Sequence, residues 1–169
     1  MKHKRIMVDM SATLIHHGHV RLLKKASEYG SVIVGLTTDD EVNTQKGFSP
    51  ELAFEYRKEI LESIKYVSEV VATPWLIDED TLNQHSIDLL VHGNDNSNLI
   101  DESRLQIFTR TQGVSSNEIR DNSLRVVTEI HNQKLMLTPG PAAVLHDNLK
   151  YIKPLFGRGD DEYDAIAEV

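Results

Sequence analysis

The sequence predicts an α/β fold built on a doubly wound parallel sheet of about five strands. Short apolar runs, most of them rich in β-branched residues, recur along the chain and are typical of buried strands. Between them lie segments that carry helix start and stop signals or helically spaced apolar residues. Four of the strand-like runs are followed by polar or glycine-containing turns. Strand–helix alternation of this kind predicts a parallel sheet covered on both faces.

The first elements are read directly from these patterns. Arg5–Met10 is a short apolar run suited to a buried strand. The next apolar residues are spaced for one helix face, and Gly30 is expected to stop that helix. Ser31–Leu36 is β-branched and apolar and predicts the second strand, whereas Thr37–Phe48 is polar and predicts a loop.

The next helix is predicted from its start signals: Ser49 as N-cap, Pro50 at the first helical position and Glu51 in the first turn, with an end near Tyr66. The later elements follow from the same rules. They are a strand at 67–73, a short helix at 78–86, strands at 87–93 and 105–111, and a helix from Ser115 to about His131, where Ser115 and Glu118 match a capping box.

Composition excludes several classes of function. The chain has 169 residues and a net charge of −8, which argues against general binding to nucleic acid. It has no cysteine, so a disulfide framework and a thiolate zinc site are excluded. We find no membrane-spanning apolar run and no signal peptide, and we therefore expect a cytoplasmic protein.

The domain organisation changes near Gln133. Residues 1–132 are expected to form the α/β domain, and residues 133–169 an appended segment that cannot bury a core of its own. Three of the five prolines lie in this segment.

Polar side chains follow the strands at the edge where ligands bind in such sheets. Three of the eight histidines, at positions 16, 17 and 19, follow the first strand. Thr37–Asp39, Gly93–Asp95 and Arg110–Gly113 follow the second, fourth and fifth strands. This convergence predicts one ligand site.

The histidine cluster allows more than one interpretation. His16 and His19 have the spacing of a helical zinc pair, but no third ligand follows in a known pattern. A solvated loop is a second interpretation. The position at a helix start favours a third, an anion site, because free N–H groups and the helix dipole attract phosphate there. Gly18 would let a ligand approach the backbone closely.

Two motifs carry a family resemblance. His16–His19 (HHGH) resembles the HxGH signature of the nucleotidylyltransferase superfamily, whose fold is Rossmann-like. Arg110–Ser116 (RTQGVSS) is similar to the RTxGISS signature of the cytidylyltransferase branch. Thr37–Asp39 resembles that family's STD turn. The likeness covers roughly residues 4–124 and is greatest to glycerol-3-phosphate cytidylyltransferases and their phosphonate-processing relatives.

The resemblance implies transfer of CMP from CTP to a phosphonate or phosphate acceptor, with Mg²⁺ carried by the triphosphate and with a homodimer as the assembly. His16 and His19 would donate to the α-phosphate, and Lys46 and Arg110 would hold the β- and γ-phosphates. Other residues would bind the nucleotide: Asp9, Met10, Ser11, Gly18, Thr37, Gly93, Asp95, Thr111, Val114, Ser115 and Ser116. No metal ligand is expected from the protein.

Non-functional interpretations also stay open for single residues. Arg110 could pair with a surface acid, Lys46 could be a solvated lysine, and Asp39 could be an ordinary turn former. Trp75 could belong to the core or to the wall of an acceptor pocket. His17 is given no catalytic role.

The sequence also departs from its relatives. Met10–Thr13 stands where the family has GTFD, and Gly93–Asn96 stands where it has GDDW. Both changes argue against glycerol 3-phosphate as the acceptor.

Residues 134–169 are similar to the start of class V pyridoxal-phosphate aminotransferases that act on 2-aminoethylphosphonate. We therefore expect a fusion with an aminotransferase and a phosphonate acceptor.

Two other functions stay open at this point. Ser115–Arg120 could be read as the ISSTxxR signature of an ATP-dependent adenylyltransferase of the same superfamily. A non-catalytic nucleotide-sensing domain is the alternative from another class, since the altered GTFD motif could mark lost activity.

Overall fold

A computed structural model describes residues 4–135, with side chains up to Asn132. Strands and helices alternate along this part of the chain. The strands are β1 (Arg5–Met10), β2 (Ser31–Thr37), β3 (Val67–Thr73), β4 (Leu89–Gly93) and β5 (Leu105–Phe108). The α-helices are α1 (His17–Ala26), α2 (Asp39–Lys46), α3 (Phe54–Glu62), α4 (Glu79–Gln84) and α5 (Ser116–Leu135), and Glu102–Arg104 forms a 3₁₀ turn.

The five strands form one sheet in the order β3-β2-β1-β4-β5, and every neighbouring pair is parallel. The chain builds the sheet outward from β1 to β3 and then returns to the other side of β1 for β4 and β5. This order confirms the predicted doubly wound sheet. Its switch point lies between β1 and β4, which is where ligands bind in open α/β sheets.

Alternate residues of the central strands point to opposite faces of the sheet. One core cluster contains Ile6 and Val8 of β1 together with Leu23 of α1 and Leu61 of α3. The second core cluster contains Met7 of β1, with Ile33, Ile77, Leu82, Ile87 and Leu90. Both faces of the sheet are therefore buried, which explains why β1 and β2 read as continuous apolar runs.

The loop predicted at Thr37–Phe48 is wrong in its central part, because α2 lies there. Thr38 caps this helix, with its hydroxyl accepting the Glu41 N–H at 3.4 Å. Acidic residues in the first turn favour the helix dipole, and Gly47 ends the helix with φ at 74°. Val42 is the only residue of α2 that is buried, so the helix has no apolar stripe by which its sequence could reveal it.

The start of α3 is also corrected. The sequence predicts Ser49 as the N-cap, but the helix begins at Phe54 after Ala53, which makes no capping hydrogen bond through its side chain. The cap is supplied by a residue of another helix, because the Asp39 carboxylate accepts the Phe54 N–H at 2.9 Å. The local start signal is therefore overridden by a tertiary contact.

Other helix ends differ by a few residues. Helix α1 ends at Ala26 and not near Gly30, with Ser27 as its C-cap. Ser115 does precede α5, and its hydroxyl accepts the Glu118 N–H at 3.1 Å, as the capping box predicts. The sheet and its surrounding helices belong to one compact unit that ends at Ile119, and the rest of α5 belongs to a second unit.

Two further expectations concern the termini and membranes. From residue 136 onward, the predicted appended segment lies outside the described residues. Among the helices described, none has the length and apolar character needed to cross a membrane.

Candidate active site

A cleft of about 600 Å³ lies at the carboxyl edge of the sheet. All residues predicted to act on or bind the nucleotide line it. They are Asp9, Met10 and Ser11 from β1 and its loop, His16, Gly18 and His19 at the start of α1, Thr37, Lys46, Gly93, Asp95, Arg110, Thr111, Val114, Ser115 and Ser116. The structure brings this predicted set together, and the role of each residue stays a prediction.

His16 and His19 form an unusual capping box at the start of α1. The His16 Nδ1 atom accepts the Gly18 N–H at 3.1 Å, and the His16 backbone N–H donates to His19 Nδ1 at 3.2 Å. Imidazoles here take the place of the serine and glutamate usual in such boxes. The two rings lie with their centroids 4.0 Å apart.

These bonds fix the tautomer of both rings. A neutral imidazole carries one proton, and because Nδ1 accepts a backbone N–H in each ring, Nε2 carries the proton. Burial lowers the pKa of His19 to about 3, with further lowering by the neighbouring His16, Arg110 and Lys46 side chains. Burial, together with His17 and Arg110, also lowers the pKa of His16. Both side chains are therefore neutral hydrogen-bond donors near neutral pH.

The structure gives a second explanation for glycine at position 18, which the sequence did not reveal. A Cβ atom at this position would lie 2.9 Å from two atoms of the His16 ring and 3.2 Å from a Val114 methyl group. Gly18 therefore makes room for the His16 imidazole. Close approach of a ligand is the reason predicted from the sequence for this glycine, and the packing of the His16 ring is an additional one.

Lys46 reaches the cleft from the last turn of α2. Its Nζ donates to the Ser11 hydroxyl at 2.8 Å and lies 5.4 Å from the centre of the Trp75 ring. Trp75 lines the cleft and is only partly buried, and its backbone N–H donates to the Glu41 carboxylate at 3.1 Å. Of the two interpretations of Trp75, the structure therefore favours the pocket wall.

Arg110 pairs with Asp95 across the turns that follow β5 and β4. Its Nη1 lies 2.7 Å from an Asp95 oxygen, and both side chains are more than half exposed. Gly93 allows this approach, because a Cβ there would lie 2.7 Å from the Asp95 carboxylate and 3.1 Å from Arg110. Arg110 therefore does pair with an exposed acidic residue, as its non-catalytic interpretation expects. The pair nevertheless lies in the cleft.

A second helix start faces the same cleft. Ser115 caps α5, and the Ser116 hydroxyl donates to the Leu14 carbonyl at 3.3 Å. Residues from the first turns of both helices, Gly18 and His19 of α1 and Ser116 and Asn117 of α5, therefore line the same cleft. Two helix N-termini at one cleft form a site for an anion with several negative charges.

The polar cluster of Asp9, His92 and Asn98 at the switch point was not predicted from the sequence, although Asp9 alone was predicted to bind the nucleotide. Asp9 ends up beside His92 and Asn98: its Oδ2 accepts the Asn98 Nδ2–H at 3.0 Å and lies 3.5 Å from His92 Nε2. Burial raises the pKa of Asp9, against the opposing effects of His92 and Asn98. His92 could have been found as a lone polar residue near the carboxyl end of an apolar strand, whereas Asn98 lies in a loop without a pattern.

The comparisons with known proteins decide the family. A family model described as cytidylyltransferase-like matches residues 11–122, which include both signatures. The chain belongs to the cytidylyltransferase-like family. The predicted membership and enzyme class are thereby confirmed.

Individual relatives agree with this membership. This cytidylyltransferase-like chain is 32% identical to the glycerol-3-phosphate cytidylyltransferase of Bacillus subtilis over 123 residues, covering 70% of this chain and 95% of the relative. It is 33% identical to the mouse ethanolamine-phosphate cytidylyltransferase over 144 residues, but spans only 35% of that protein.

A solved structure agrees with the fold. The lipopolysaccharide core biosynthesis protein from Thermoplasma volcanium is similar with a TM-score of 0.56 and 17% identity, over 65% of this chain and 99% of that one. At this identity the likeness concerns the fold alone, which is the predicted α/β fold.

Proposed function

We propose that this cytidylyltransferase transfers CMP from CTP to a small phosphonate, with the histidine pair stabilising the transition state. Transfer to a phosphate-bearing acceptor agrees with its relatives, which are named for glycerol 3-phosphate and ethanolamine phosphate. The single observation that carries the chemistry is the pair of fixed Nε2–H donors at the start of α1.

The reaction needs charge stabilisation more than proton removal. An acceptor oxyanion attacks the α-phosphorus of CTP, the bond to the β-phosphate bridging oxygen breaks, and pyrophosphate leaves with that electron pair. A phosphate monoester has a second pKa of about 6, and a phosphonate also carries at least one ionised oxygen near neutral pH, so an attacking oxyanion is present without a general base. Positioned donors are then the main requirement of the site.

His16 and His19 would donate from Nε2 to the α-phosphate oxygens as negative charge builds up there. Because their Nδ1 atoms are held by backbone N–H groups, the rings need not reorient during the reaction. Neutral rings also leave the cleft without two extra positive charges before CTP binds.

The cations and the second helix start would bind the rest of the triphosphate. Arg110 and Lys46 would hold the β- and γ-phosphates, and Arg110 would exchange its exposed partner Asp95 for phosphate oxygens. Ser115 and Ser116 would add hydroxyl and backbone donors at the start of α5. Cytosine would be read near Gly93, at the end of β4.

Magnesium would enter with the CTP. Within residues 4–132, no group of three or more His, Cys, Asp and Glu side chains is gathered that could hold a metal ion. Mg²⁺ usually keeps several waters and binds through substrate phosphate oxygens, so the triphosphate would carry it into the cleft. The ion would neutralise charge on the triphosphate.

Two features support a phosphonate acceptor. Residues 134–169 resemble the start of aminotransferases that act on 2-aminoethylphosphonate. In addition, Asn96 stands where the family motif has tryptophan, and its side chain bonds the Asn98 backbone at 3.2 and 3.3 Å. Its sequence neighbours Asp95 and Ser97 line the cleft, so this change of the family motif lies next to the site and argues against glycerol 3-phosphate as the acceptor. The cytoplasmic location, the homodimer and the fused aminotransferase stay predictions.

The test is a comparison of acceptors by pyrophosphate release with CTP and Mg²⁺. We expect the highest kcat/KM with 2-aminoethylphosphonate or 2-hydroxyethylphosphonate, compared with ethanolamine phosphate and glycerol 3-phosphate. Turnover of glycerol 3-phosphate alone would refute the phosphonate proposal. Replacing CTP by ATP, UTP or GTP in the same assay tests the choice of base.

A further inference from the structure

Arg57 is a fully buried cation in α3, with an exposed fraction of 0%. Each of its nitrogen atoms donates to an oxygen: Nε to the Leu52 carbonyl at 3.0 Å, Nη2 to the Thr37 carbonyl at 3.0 Å and to the Asp39 carboxylate, and Nη1 to the Ser11 carbonyl. Asp39 supplies the opposite charge that a buried cation requires.

The partners of Arg57 belong to the segments that form one side of the cleft. Ser11 and Thr37 line the cleft at the ends of β1 and β2. Asp39 begins α2, and Lys46, at the last position of α2, donates back to the Ser11 hydroxyl. The contacts therefore form a closed ring that runs from Arg57 through Ser11, Lys46, α2 and Asp39.

The segment held at Ser11 is strained. Ala12, the next residue, has φ at 43°, in the left-handed region that residues with a Cβ atom rarely adopt. The hydrogen bond from Arg57 to the Ser11 carbonyl is made to the peptide group that joins these two residues. This bond helps to hold the turn in which the Ser11 hydroxyl meets Lys46.

We propose that Arg57 is a positioning residue for CMP transfer, which places Lys46 and Ser11 without contacting substrate. The proposal rests on the proposed role of Lys46 in holding the triphosphate. A buried ion pair is a weak source of stability, because desolvation offsets the attraction between the charges. The planar guanidinium instead fixes the relative positions of four chain segments, which a lysine cannot do.

A double-mutant cycle of Arg57→Lys and Lys46→Met tests this proposal. We expect each single variant to lower kcat/KM for CTP by about tenfold or more, since displacements of about 1 Å can cost up to about a hundredfold in rate. If Arg57 acts through Lys46, the double variant is no slower than Lys46→Met alone. Thermal unfolding of each variant establishes that the folded enzyme is being assayed.

The outcomes separate this inference from the proposed function. Multiplicative losses in the double variant, or an unchanged kcat/KM in folded Arg57→Lys, would overturn the positioning role. No loss in Lys46→Met would instead refute the proposed role of Lys46. Should Arg57→Lys not fold, Asp39→Asn replaces it in the cycle, because it removes the counter-charge while keeping an oxygen for the Phe54 N–H.

Discussion

His16 and His19 cap the first helix reciprocally, and their rings lie with centroids 4.0 Å apart. The cap uses Nδ1 of both rings, which leaves the proton on Nε2 of each ring. One pair of side chains thus stabilises a helix start and presents two oriented donors in the cleft. The catalytic and structural effects of these histidines can be separated by experiment.

Replacing either histidine by alanine is expected to remove most activity while keeping the fold. We expect kcat to fall by about a hundredfold or more in His16→Ala and in His19→Ala, as for lost oxyanion donors. The lost cap lowers the free energy of unfolding by about 1 kcal/mol. Pyrophosphate release and urea unfolding measure the two effects.

The matched control for these variants is His17→Ala. His17 lies between the two histidines in the sequence but does not line the cleft. We expect its kcat to stay within about twofold of the wild type, since surface substitutions seldom disturb a site. Equal losses in all three variants would contradict the assigned donor roles.

The depressed pKa of His19 predicts how stability depends on pH. The pKa is about 3 in the folded chain and ordinarily 6.5, so the unfolded chain binds the proton first as the pH falls. The free energy of unfolding therefore decreases as the pH is lowered from about 6.5 toward about 3. Urea unfolding between pH 7 and pH 4.5 should show a steeper decrease for the wild type than for His19→Ala. Identical slopes would show that His19 is not held neutral.

Gly18→Ala is expected to reduce activity through the His16 ring. The added Cβ would meet ring atoms at 2.9 Å, so the imidazole must move. A displaced donor is expected to lower kcat by about ten- to a hundredfold. Steady-state kinetics measure the effect, and circular dichroism checks that α1 is kept. Wild-type kcat in a folded Gly18→Ala protein would contradict the importance of the ring position.

Arg110→Gln is expected to weaken CTP binding with little effect on stability. The pair with Asp95 is exposed, and such pairs contribute about 0–1 kcal/mol. A cation that holds phosphates should instead raise KM for CTP by about tenfold or more, because charge-assisted hydrogen bonds contribute about 1.5–3 kcal/mol. Calorimetric titration with CTP and thermal unfolding compare the two effects. A lower unfolding temperature with unchanged CTP affinity would instead indicate that Arg110 serves only as the ion-pair partner of a surface acid.

Much of the fold was predictable because strands and ligand turns are encoded locally. The buried strands β1 and β2 are continuous apolar runs, and the residues that follow parallel strands must meet at one edge of the sheet. Most of the cleft residues therefore followed from strand ends and from two motifs, whereas Lys46, at the end of α2, followed from the family resemblance alone. Helix α5 was found from Ser115 and its partner Glu118, which lie within one turn.

The remaining features depend on tertiary contacts. Helix α3 begins where Asp39 reaches Phe54, a contact between two helices that local start signals cannot reveal. Arg57 shares the buried side of α3 with Leu61, so a charge within an apolar stripe was the available signal. Its partners at the ends of two strands were not predictable from spacing.

The most direct test of the account is ³¹P NMR of a reaction with CTP, Mg²⁺ and 2-aminoethylphosphonate. We predict that pyrophosphate and a CMP-linked phosphonate form in equal amounts with the wild type, and that neither forms with the His16→Ala and His19→Ala double variant. Unchanged CTP signals with this and other phosphonates, in a sample that converts glycerol 3-phosphate, would contradict the phosphonate proposal. Equal rates in the double variant would contradict the role of the histidine pair.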